Sequence, residues 1–408
     1  MDRRELGIYV HIPFCVRKCA YCDFLSFPAS GRLQQAYFRA LREEIASFET
    51  AEEYEAVSVY FGGGTPSLPP AGEITDTLDM IRRVFTVEQD AEITIECNPG
   101  TTDRERLDAY HKAGFNRLSM GLQSADDTLL KTLGRIHTWE TFLREYFEAR
   151  EAGFDNISID LMYGLPGQTL NVWEDTLEKV KALSPEHVSS YSLIIEEGTP
   201  FWDRYHEDDE TKRRGEKTLF LPDEDEEDRM LEALKSSLRD IGMHRYEISN
   251  YARPGKESRH NTGYWLRREY AGFGLGASGQ IKKTRYRNRS SLTGYLESVS
   301  APGKGQGMTD PAALLQEGAC AQENPLREET TFLTRKDEIS ETMILGLRLT
   351  EGVDLQRFEK TFSQRAEDLF AEEIETYRRA GLLELNGRHL RLTDHGFDVS
   401  NLVMSSFL

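Results

Sequence analysis

The chain has 408 residues, more than one hydrophobic core usually serves, so two domains are expected. Its 70 acidic and 50 basic residues give a formal net charge of −20, which argues against a nonspecific nucleic-acid binder. With 38% hydrophobic and 29% charged residues, no signal-peptide core and no run of 18 apolar residues, the composition is typical of a globular cytoplasmic protein without a membrane span.

Strand-like and helix-like patterns alternate over the first half of the chain. Six strands are predicted at Gly7–Ile12, Val57–Phe61, Glu92–Cys97, Arg117–Gly121, Ser158–Met162 and Ser189–Ile195. Helical patterns lie between them, at Leu33–Phe48, Glu73–Phe85, Asp103–Ala113, Asp126–Leu133, Trp139–Ala152 and Leu170–Leu183. Such repeated units favour a parallel sheet that curls into a closed or open barrel, with the functional residues at the carboxyl ends of its strands.

Three cysteines, Cys15, Cys19 and Cys22, follow the first predicted strand within eight residues. Thiolates bind iron–sulfur clusters, and three of them can hold three irons of a cubane while the fourth iron stays open to a small ligand. A zinc site that also uses His11 is an alternative. A disulfide is a weaker one, because three clustered cysteines cannot pair evenly. Cys97 and Cys320 are interpreted as ordinary packed or surface thiols.

Glycine and polar residues follow the later strands. The loop Gly62–Pro66 can expose backbone N–H groups to a ligand, although taken alone it also fits a tight turn. Glu96 and Gln123 end the third and fourth strands, and Asp160 lies in the apolar fifth strand, where a carboxylate needs a partner. Arg135 is a candidate partner for Asp160 or a clamp for a ligand.

The second half of the chain has three different patterns. Residues 203–232 are densely charged and are predicted to form a solvated excursion, whereas 301–328 read as a linker. From Lys336 onward, helices are predicted at Asp337–Leu349, Leu355–Thr361 and Gln364–Ala380, then a hairpin with a type I′ turn at Asn386-Gly387, then a last helix after Thr393. This order is typical of a winged helix, and its excess of acidic residues favours a packing or lid role over DNA binding.

Several motifs together resemble the coproporphyrinogen III oxidase-like radical S-adenosylmethionine (SAM) family. They are Tyr9-Val-His-Ile-Pro-Phe-Cys15 with the Cys-x3-Cys-x2-Cys spacing, Gly-Gly-Gly-Thr-Pro66, Glu96-Cys-Asn-Pro, Gly121-Leu-Gln123, Asp160-Leu-x-Tyr-Gly-Leu-Pro166 and Leu-Thr-Asp-His-Gly396. The resemblance covers nearly the whole chain. It implies an α/β fold with a partial (β/α)6 TIM-like radical SAM barrel over 1–290, a linker or insertion over 291–335, and a small C-terminal α+β winged-helix-like domain over 336–408.

The resemblance also implies cofactors and their ligands. A [4Fe–4S] cluster is expected on Cys15, Cys19 and Cys22, with its open iron chelating the amino and carboxylate groups of SAM. The positions that match the SAM-contacting ones of the family are Tyr9, Tyr21, Gly63, Gly64, Thr65, Glu96, Gln123, Arg135 and Asp160. Arg17 and Lys18 lie between cluster ligands on an acidic protein, so they are a candidate dock for an acidic flavodoxin- or ferredoxin-like electron donor, with a solvated loop as the alternative.

Two features bear on the branch of this family. The decarboxylating branch usually carries another cysteine two residues after the third, and this chain has Phe24 there. That branch also has an extension before the first strand, whereas Tyr9 of this chain is almost at the terminus. The run His260-Asn261-x-x-Tyr264-Trp265 resembles the haem-binding motif of the haem chaperone branch. Imidazole is a standard axial ligand of haem iron, and Tyr and Trp offer flat apolar faces to a porphyrin. Taken alone, a histidine beside aromatic residues is also typical of core packing.

The sequence therefore favours a haem chaperone that binds haem and passes it to an apoprotein. Oxygen-independent oxidative decarboxylation of coproporphyrinogen III, and a radical SAM reaction that modifies or degrades haem, are the alternatives. No catalytic residue is assigned. If His260 is not the haem ligand, the next candidates are His11, His137 and His244, in that order.

Overall fold

The computed structural model describes residues 3–300 and 324–408. Its first six strands are parallel and adjacent in chain order, which confirms the predicted partial (β/α)6 barrel. They are β1 (Arg4–Ile12), β2 (Tyr54–Gly63), β3 (Thr86–Cys97), β4 (Arg117–Gln123), β5 (Ile157–Tyr163) and β6 (His187–Ser192). The helices between them are α1 (Gly31–Ala46), α2 (Ala71–Val84), α3 (Arg104–Ala113), α4 (Asp127–Leu133), α5 (Trp139–Glu151) and α6 (Leu170–Leu183).

Strand β1 shows how the sequence makes two different faces of the barrel. Leu6, Ile8 and Val10 are fully buried in the hydrophobic core. Because successive side chains of a strand point to opposite faces, Tyr9 and His11 face the lumen instead. Polar and aromatic side chains of β1 thus line the lumen, while its aliphatic side chains form the core. Functional residues of this fold are therefore expected in the lumen.

Further strands extend the sheet past both edges of the barrel. Next to β6 lie β8 (Asn250–Ala252) and β7 (His244–Arg245); next to β1 lie β9 (Tyr270–Phe273), β10 (Ser278–Ile281), β11 (Thr284–Asn288) and β12 (Arg327–Phe332). Within the described residues the two ends of this sheet do not pair with each other, so the barrel is open. No strands were predicted here, because runs of two to six residues carry little periodic signal.

A short helix, α9 (Arg259–Trp265), closes the amino-terminal end of the lumen. Its first backbone N–H groups are capped by the buried Glu92 carboxylate, which accepts bonds from Arg259 N and His260 N, each at 3.0 Å. A carboxylate at this position also interacts favourably with the positive end of the helix dipole. Glu92 lies 3.9 Å from the buried guanidinium of Arg117, the first residue of β4, so this carboxylate connects α9 with β4.

Most charged side chains of the segment 203–232 are exposed, as predicted for a solvated excursion, but much of its backbone is helical. It contains α7 (Pro200–Arg213) and α8 (Glu224–Asp240). Helix α8 buries Met230, Leu234 and Leu238 against α6, and the Trp173 indole N–H donates to the Met230 carbonyl at 2.8 Å. The three apolar residues recur at helical spacing, but the run of acidic residues around them hides this stripe in the composition.

Both ends of the predicted linker are ordered parts of the first unit. Helix α10 (Leu292–Ser300) packs on α1, where the Tyr295 hydroxyl donates to the buried Glu44 carboxylate at 2.7 Å. Strand β12 pairs with β11. The middle of the predicted linker, 301–323, lies outside the described residues, and so does Cys320. The domain boundaries at 290 and 335 stay predictions.

The C-terminal unit has the predicted winged-helix-like order and its own hydrophobic core. Its elements are α11 (Arg335–Gly346), β13 (Val353–Asp354), α12 (Leu355–Phe362), α13 (Ala366–Leu369), α14 (Ala371–Arg379), β14 (Leu383–Asn386), β15 (His389–Leu392), α15 (Asp394–Asp398) and α16 (Ser400–Ser405). The hairpin turn differs from the prediction. Only Gly387, not Asn386, has a positive φ, +62°, which is the pattern of a type II′ turn centred on Gly387-Arg388. No helix in 3–300 or 324–408 is long and apolar enough to cross a membrane.

Candidate cofactor site at the carboxyl ends of the strands

The loop that carries the three cysteines is fixed to the barrel at both of its sides. At its base Phe14 pairs with Phe27, and the Cys15 N–H donates to the Phe27 carbonyl at 3.2 Å. On its far side the Ala20 N–H donates to the carbonyl of Leu133, the last residue of α4, at 2.9 Å. The cysteines are therefore positioned by backbone hydrogen bonds and not by one another.

The thiols suit a polynuclear cluster better than the zinc alternative. Cys15, Cys19 and Cys22 are free and half-buried. Among the residues that the structure describes, no three His, Cys, Asp or Glu side chains are close enough to hold one metal ion. The imidazole of His11 lies 3.0 Å from the Tyr9 hydroxyl and 2.9 Å from the carbonyl of Leu25, so both of its ring nitrogens are already engaged. Burial raises the pKa of the Cys22 thiol, and a coordinated metal is a group that would hold it as thiolate.

A chain of hydrogen bonds joins the cysteine loop to the neighbouring strand ends. Cys15 Sγ lies 3.4 Å from Thr65 Oγ1, which accepts from Asn98 Nδ2 at 2.7 Å. Asn98 Oδ1 in turn accepts from Arg135 Nη2 at 2.7 Å, and Arg135 Nη1 lies 3.8 Å from Cys19 Sγ. Two of the predicted cluster ligands are thus connected through three side chains that come from three different loops.

Asn98, which lies at the centre of this chain of hydrogen bonds, was not among the predicted site residues. Its signal was present, because it stands directly after β3 in the motif that was quoted for Glu96, at the strand end where functional residues are expected. Arg135 forms no ion pair with Asp160, one of the two roles considered for it, although its charge opposes the effect of burial on the pKa of that carboxyl. It donates to the Gly121 carbonyl at 2.5 Å, and a Cβ on Gly121 would lie 2.8 Å from its Nη2.

The two predicted carboxylates have different surroundings. Asp160 accepts from the Ser119 hydroxyl at 3.1 Å, and burial raises its pKa. Glu96 accepts from the Tyr60 hydroxyl at 2.8 Å and from the Gly63 N–H at 3.1 Å. Burial, followed by the nearby Asp160, raises the pKa of Glu96 to about 7, so this carboxyl changes its charge near neutral pH.

The glycine loop is packed against the protein, which agrees with the tight-turn alternative and not with N–H groups that face a ligand. Gly63 N donates to Glu96, Gly64 N to the Ile12 carbonyl and Thr65 N to the Phe14 carbonyl, the last two at 2.8 Å. A Cβ on Gly64 would lie 2.9 Å from both of these carbonyl oxygens. The loop is therefore a tight turn that brings Thr65 to Cys15, and its own N–H groups are already paired.

The remaining predicted SAM positions surround the same strand ends. Tyr9 stacks on Tyr60 with ring centroids 6.3 Å apart, and Tyr21 packs against Phe201. Gln123 ends β4 with a φ of +67°, a left-handed conformation that costs energy for a residue with a side chain. Such strain in a buried residue at a strand end is typical of functional sites.

Of the two residues of the predicted basic dock, Arg17 is held by hydrogen bonds within the protein. Arg17 is exposed, but its guanidinium donates to the carbonyls of Gly134 at 3.0 Å and Arg135 at 3.1 Å, so it braces the loop. Lys18 is exposed, and so are two apolar side chains of the same loop, Val16, 51% exposed, and Phe24, 69% exposed. A mixed apolar and cationic patch therefore lies over the cysteine loop.

The residues predicted to bind haem lie on α9, near the amino-terminal end of the lumen. Tyr264 and Trp265 line a cavity of about 470 Å³, which also reaches His11. His260 does not line it: its Nδ1 lies 3.0 Å from Ser58 Oγ and its Nε2 lies 2.9 Å from the Tyr264 hydroxyl. Burial lowers the pKa of His260 to about 3, so the imidazole is neutral.

Asn261, His137 and His244 do not line this cavity. Asn261 is half-buried, and its backbone N–H donates to the Ser258 hydroxyl. His137 lines a small cavity beside Cys19, and His244 lies 3.0 Å from Glu257 on the surface. Of the alternative haem ligands, only His11 therefore faces the larger cavity.

Comparison with known proteins gives the same outline. The family model of the radical SAM superfamily matches residues 9–180, and that of the HemN C-terminal domain matches 333–399. "Heme chaperone HemW" of Lactococcus lactis is 36% identical over 408 residues, covering 100% of this chain and 98% of that protein. "Heme chaperone HemW" of Bacillus subtilis is 35% identical, with 98% of both chains covered.

A solved structure has a similar fold. Coproporphyrinogen III oxidase (HemN) from Escherichia coli, described as a radical SAM enzyme, superposes with a TM-score of 0.80 over 99% of this chain and 90% of its own. The two sequences are 24% identical, so this likeness supports the arrangement of barrel and C-terminal unit and nothing finer.

Proposed function

Because the chain belongs to the HemW family of the radical SAM superfamily, we propose that it is a haem chaperone, which binds a [4Fe–4S] cluster, SAM and haem and transfers the haem to an apoprotein. The observation that carries this proposal is similarity over nearly the whole chain to proteins named haem chaperones. The exposed Phe24 supports it, since the decarboxylating branch usually has a cysteine at that position.

The cofactor residues have separate roles in this proposal. Cys15, Cys19 and Cys22 would hold three irons of the cluster, which when bound supplies an electron and an open iron for SAM. Arg135 and Asn98 would keep two of these thiolates in position, because both belong to the hydrogen-bond chain between them.

The polar side chains of the lumen would bind SAM. Glu96 is the acceptor for its amino group, and Asp160 and Gln123 offer further polar contacts, with Tyr9 and Tyr21 as aromatic walls. Gly63, Gly64 and Thr65 would act by shaping the loop beside the cluster, since their N–H groups are paired inside the protein.

SAM binding is expected to strengthen as the pH rises from 6 to 8. The pKa of Glu96 is raised to about 7 from an ordinary 4.5, so at pH 6 the carboxyl is mostly protonated and must lose its proton to accept the amino group. Below its pKa, affinity should therefore change by up to about tenfold per pH unit and level off above it. Calorimetric titration of the cluster-loaded protein with SAM measures this.

The Glu96→Gln variant is the control for that titration. It keeps the shape of the side chain and cannot ionise, so its SAM affinity should be lower at pH 8 and should rise less steeply between pH 6 and 8, with only the titration of the SAM amino group remaining. An unchanged pH profile in this variant would assign the titration to another group.

The proposed function is tested by giving the protein both candidate cargoes. We expect the cluster-loaded protein to bind about one haemin per chain and to pass it to an apo-haem-protein, while coproporphyrinogen III with SAM and reductant stays intact. An acidic flavodoxin- or ferredoxin-like protein is the reductant suited to Lys18. Formation of protoporphyrinogen would instead assign the chain to the oxidase branch, and failure to take up haemin would exclude the chaperone.

A further inference from the structure

The cavity of about 470 Å³ lies between the open edge of the barrel and the C-terminal unit. Its volume is in the range of ligand-binding pockets. Tyr9, Tyr264, Trp265 and Tyr270 give it aromatic walls, and Leu345 of α11 contributes from the C-terminal unit. The indole N–H of Trp265 has no hydrogen-bond partner among the described residues. The site is therefore shaped for a flat, largely apolar ligand.

One rim of the cavity is cationic. Arg267 and Arg285 both belong to its lining, and both guanidinium groups bind the same carboxylate, that of Glu341 on α11. Arg267 Nε lies 3.3 Å from one carboxylate oxygen, and Arg285 Nη2 lies 2.8 Å from the other. Two arginines thus already hold one carboxylate at the edge of an aromatic cavity, the geometry that recognises a carboxylate on a ligand.

We propose that this cavity binds the haem and that Glu341 occupies the place of a haem propionate. The inference rests on the proposed function, because it assumes that haem is the cargo. The porphyrin would lie against the aromatic walls, and one propionate would replace Glu341 as the carboxylate that binds Arg267 and Arg285. Arginine suits this exchange because its planar guanidinium pairs equally well with either carboxylate.

The exchange connects cargo binding to the C-terminal unit. Glu341 lies on α11, whereas both arginines belong to the segment that completes the barrel edge, so their ion pairs hold the two units together. A propionate and the Glu341 carboxylate cannot both bind the same two guanidinium groups. Haem binding should therefore loosen α11, and by reciprocity a contact that fixes α11 on the barrel should favour release of haem.

Two substitutions at the same ion pair separate this role from a purely structural one. Arg285→Gln removes a cation that the propionate needs, so haemin binding should weaken roughly tenfold, the contribution of a charge-assisted hydrogen bond. Glu341→Gln removes the competing carboxylate, so haemin binding should tighten several-fold. Without haemin, both variants should lower the melting temperature similarly, since both break the same ion pair. Arg287→Gln is the control, because Arg287 lies on the same strand as Arg285, pairs with Glu329 of the neighbouring strand β12 and does not line the cavity.

Haemin and its dimethyl ester are the two probes, each titrated by absorbance and by calorimetry. The ester has no free carboxylates, so its affinity should be the same in all four proteins. Opposite shifts of haemin affinity in Arg285→Gln and Glu341→Gln support the proposal. Equal haemin affinity in all variants overturns the cavity assignment while leaving the chaperone function standing, whereas no haemin binding to the wild type overturns the function itself.

Discussion

Replacing Cys19 with alanine is expected to abolish loading of the four-iron cluster. In the proposed site each of the three thiolates would hold one iron of the cubane, so the loss of one thiolate leaves an iron without its protein ligand. Cys15→Ala and Cys22→Ala should have the same effect. Iron content and the broad brown absorbance after anaerobic reconstitution measure the loading.

Cys97→Ala is the matched control for this loss. Cys97 ends β3 close to the same strand edge, but it is 1% exposed and packs in the hydrophobic core. Its replacement should leave the iron content unchanged and cost about 1 kcal/mol of stability through the cavity it leaves. Full iron loading in Cys19→Ala would contradict the assignment of the ligands, and loss of iron in Cys97→Ala would show that loading only reports folding.

The parallel strands of the barrel were predictable because each begins a repeating strand–helix unit. Predicted strand Arg117–Gly121 is extended by two residues in the structure, to Gln123, and the carboxyl-end rule put the cysteine loop, Glu96 and Gln123 on one edge. Asn98 follows β3 at the strand end where functional residues are expected, but its pairing with Arg135, which is distant in sequence, is seen only in the fold. Sequence spacing does not carry such a pairing.

Two features depend on tertiary contacts that the sequence does not show. The glycine loop could have offered free N–H donors, but the Gly64 N–H donates to the Ile12 carbonyl and the Thr65 N–H to the Phe14 carbonyl. The charged segment 203–232 suggested a solvated excursion, but its last helix, α8, continues beyond it and buries Leu234 and Leu238. Which partner a backbone group or an apolar stripe finds depends on tertiary contacts, and the cavity beside Glu341 requires four separate segments to meet.

We propose His260, the histidine of the motif that resembles a haem-binding one, as the axial ligand of bound haem, so its replacement with alanine is expected to remove that ligand. Its Nδ1 is oriented by Ser58, as the second nitrogen of a metal-binding histidine usually is, while its Nε2 is covered by the hydroxyl of Tyr264, whose ring lines the cavity. Ligation therefore requires Tyr264 to move. Loss of the imidazole should broaden the Soret band and weaken haemin binding by at least about tenfold.

Tyr264→Phe distinguishes a covered ligand from a packed core histidine. It removes one oxygen and leaves the ring in the cavity wall, so Nε2 loses the hydroxyl that covers it. We expect this variant to melt at a lower temperature, because a buried nitrogen without a partner costs about 1–3 kcal/mol, yet to bind haemin faster with the sharp Soret band retained. His11→Ala should also retain that band. If His260→Ala keeps the sharp band and His11→Ala loses it, then His11, which already faces the cavity, is the ligand. His260 would then be a structural residue of α9.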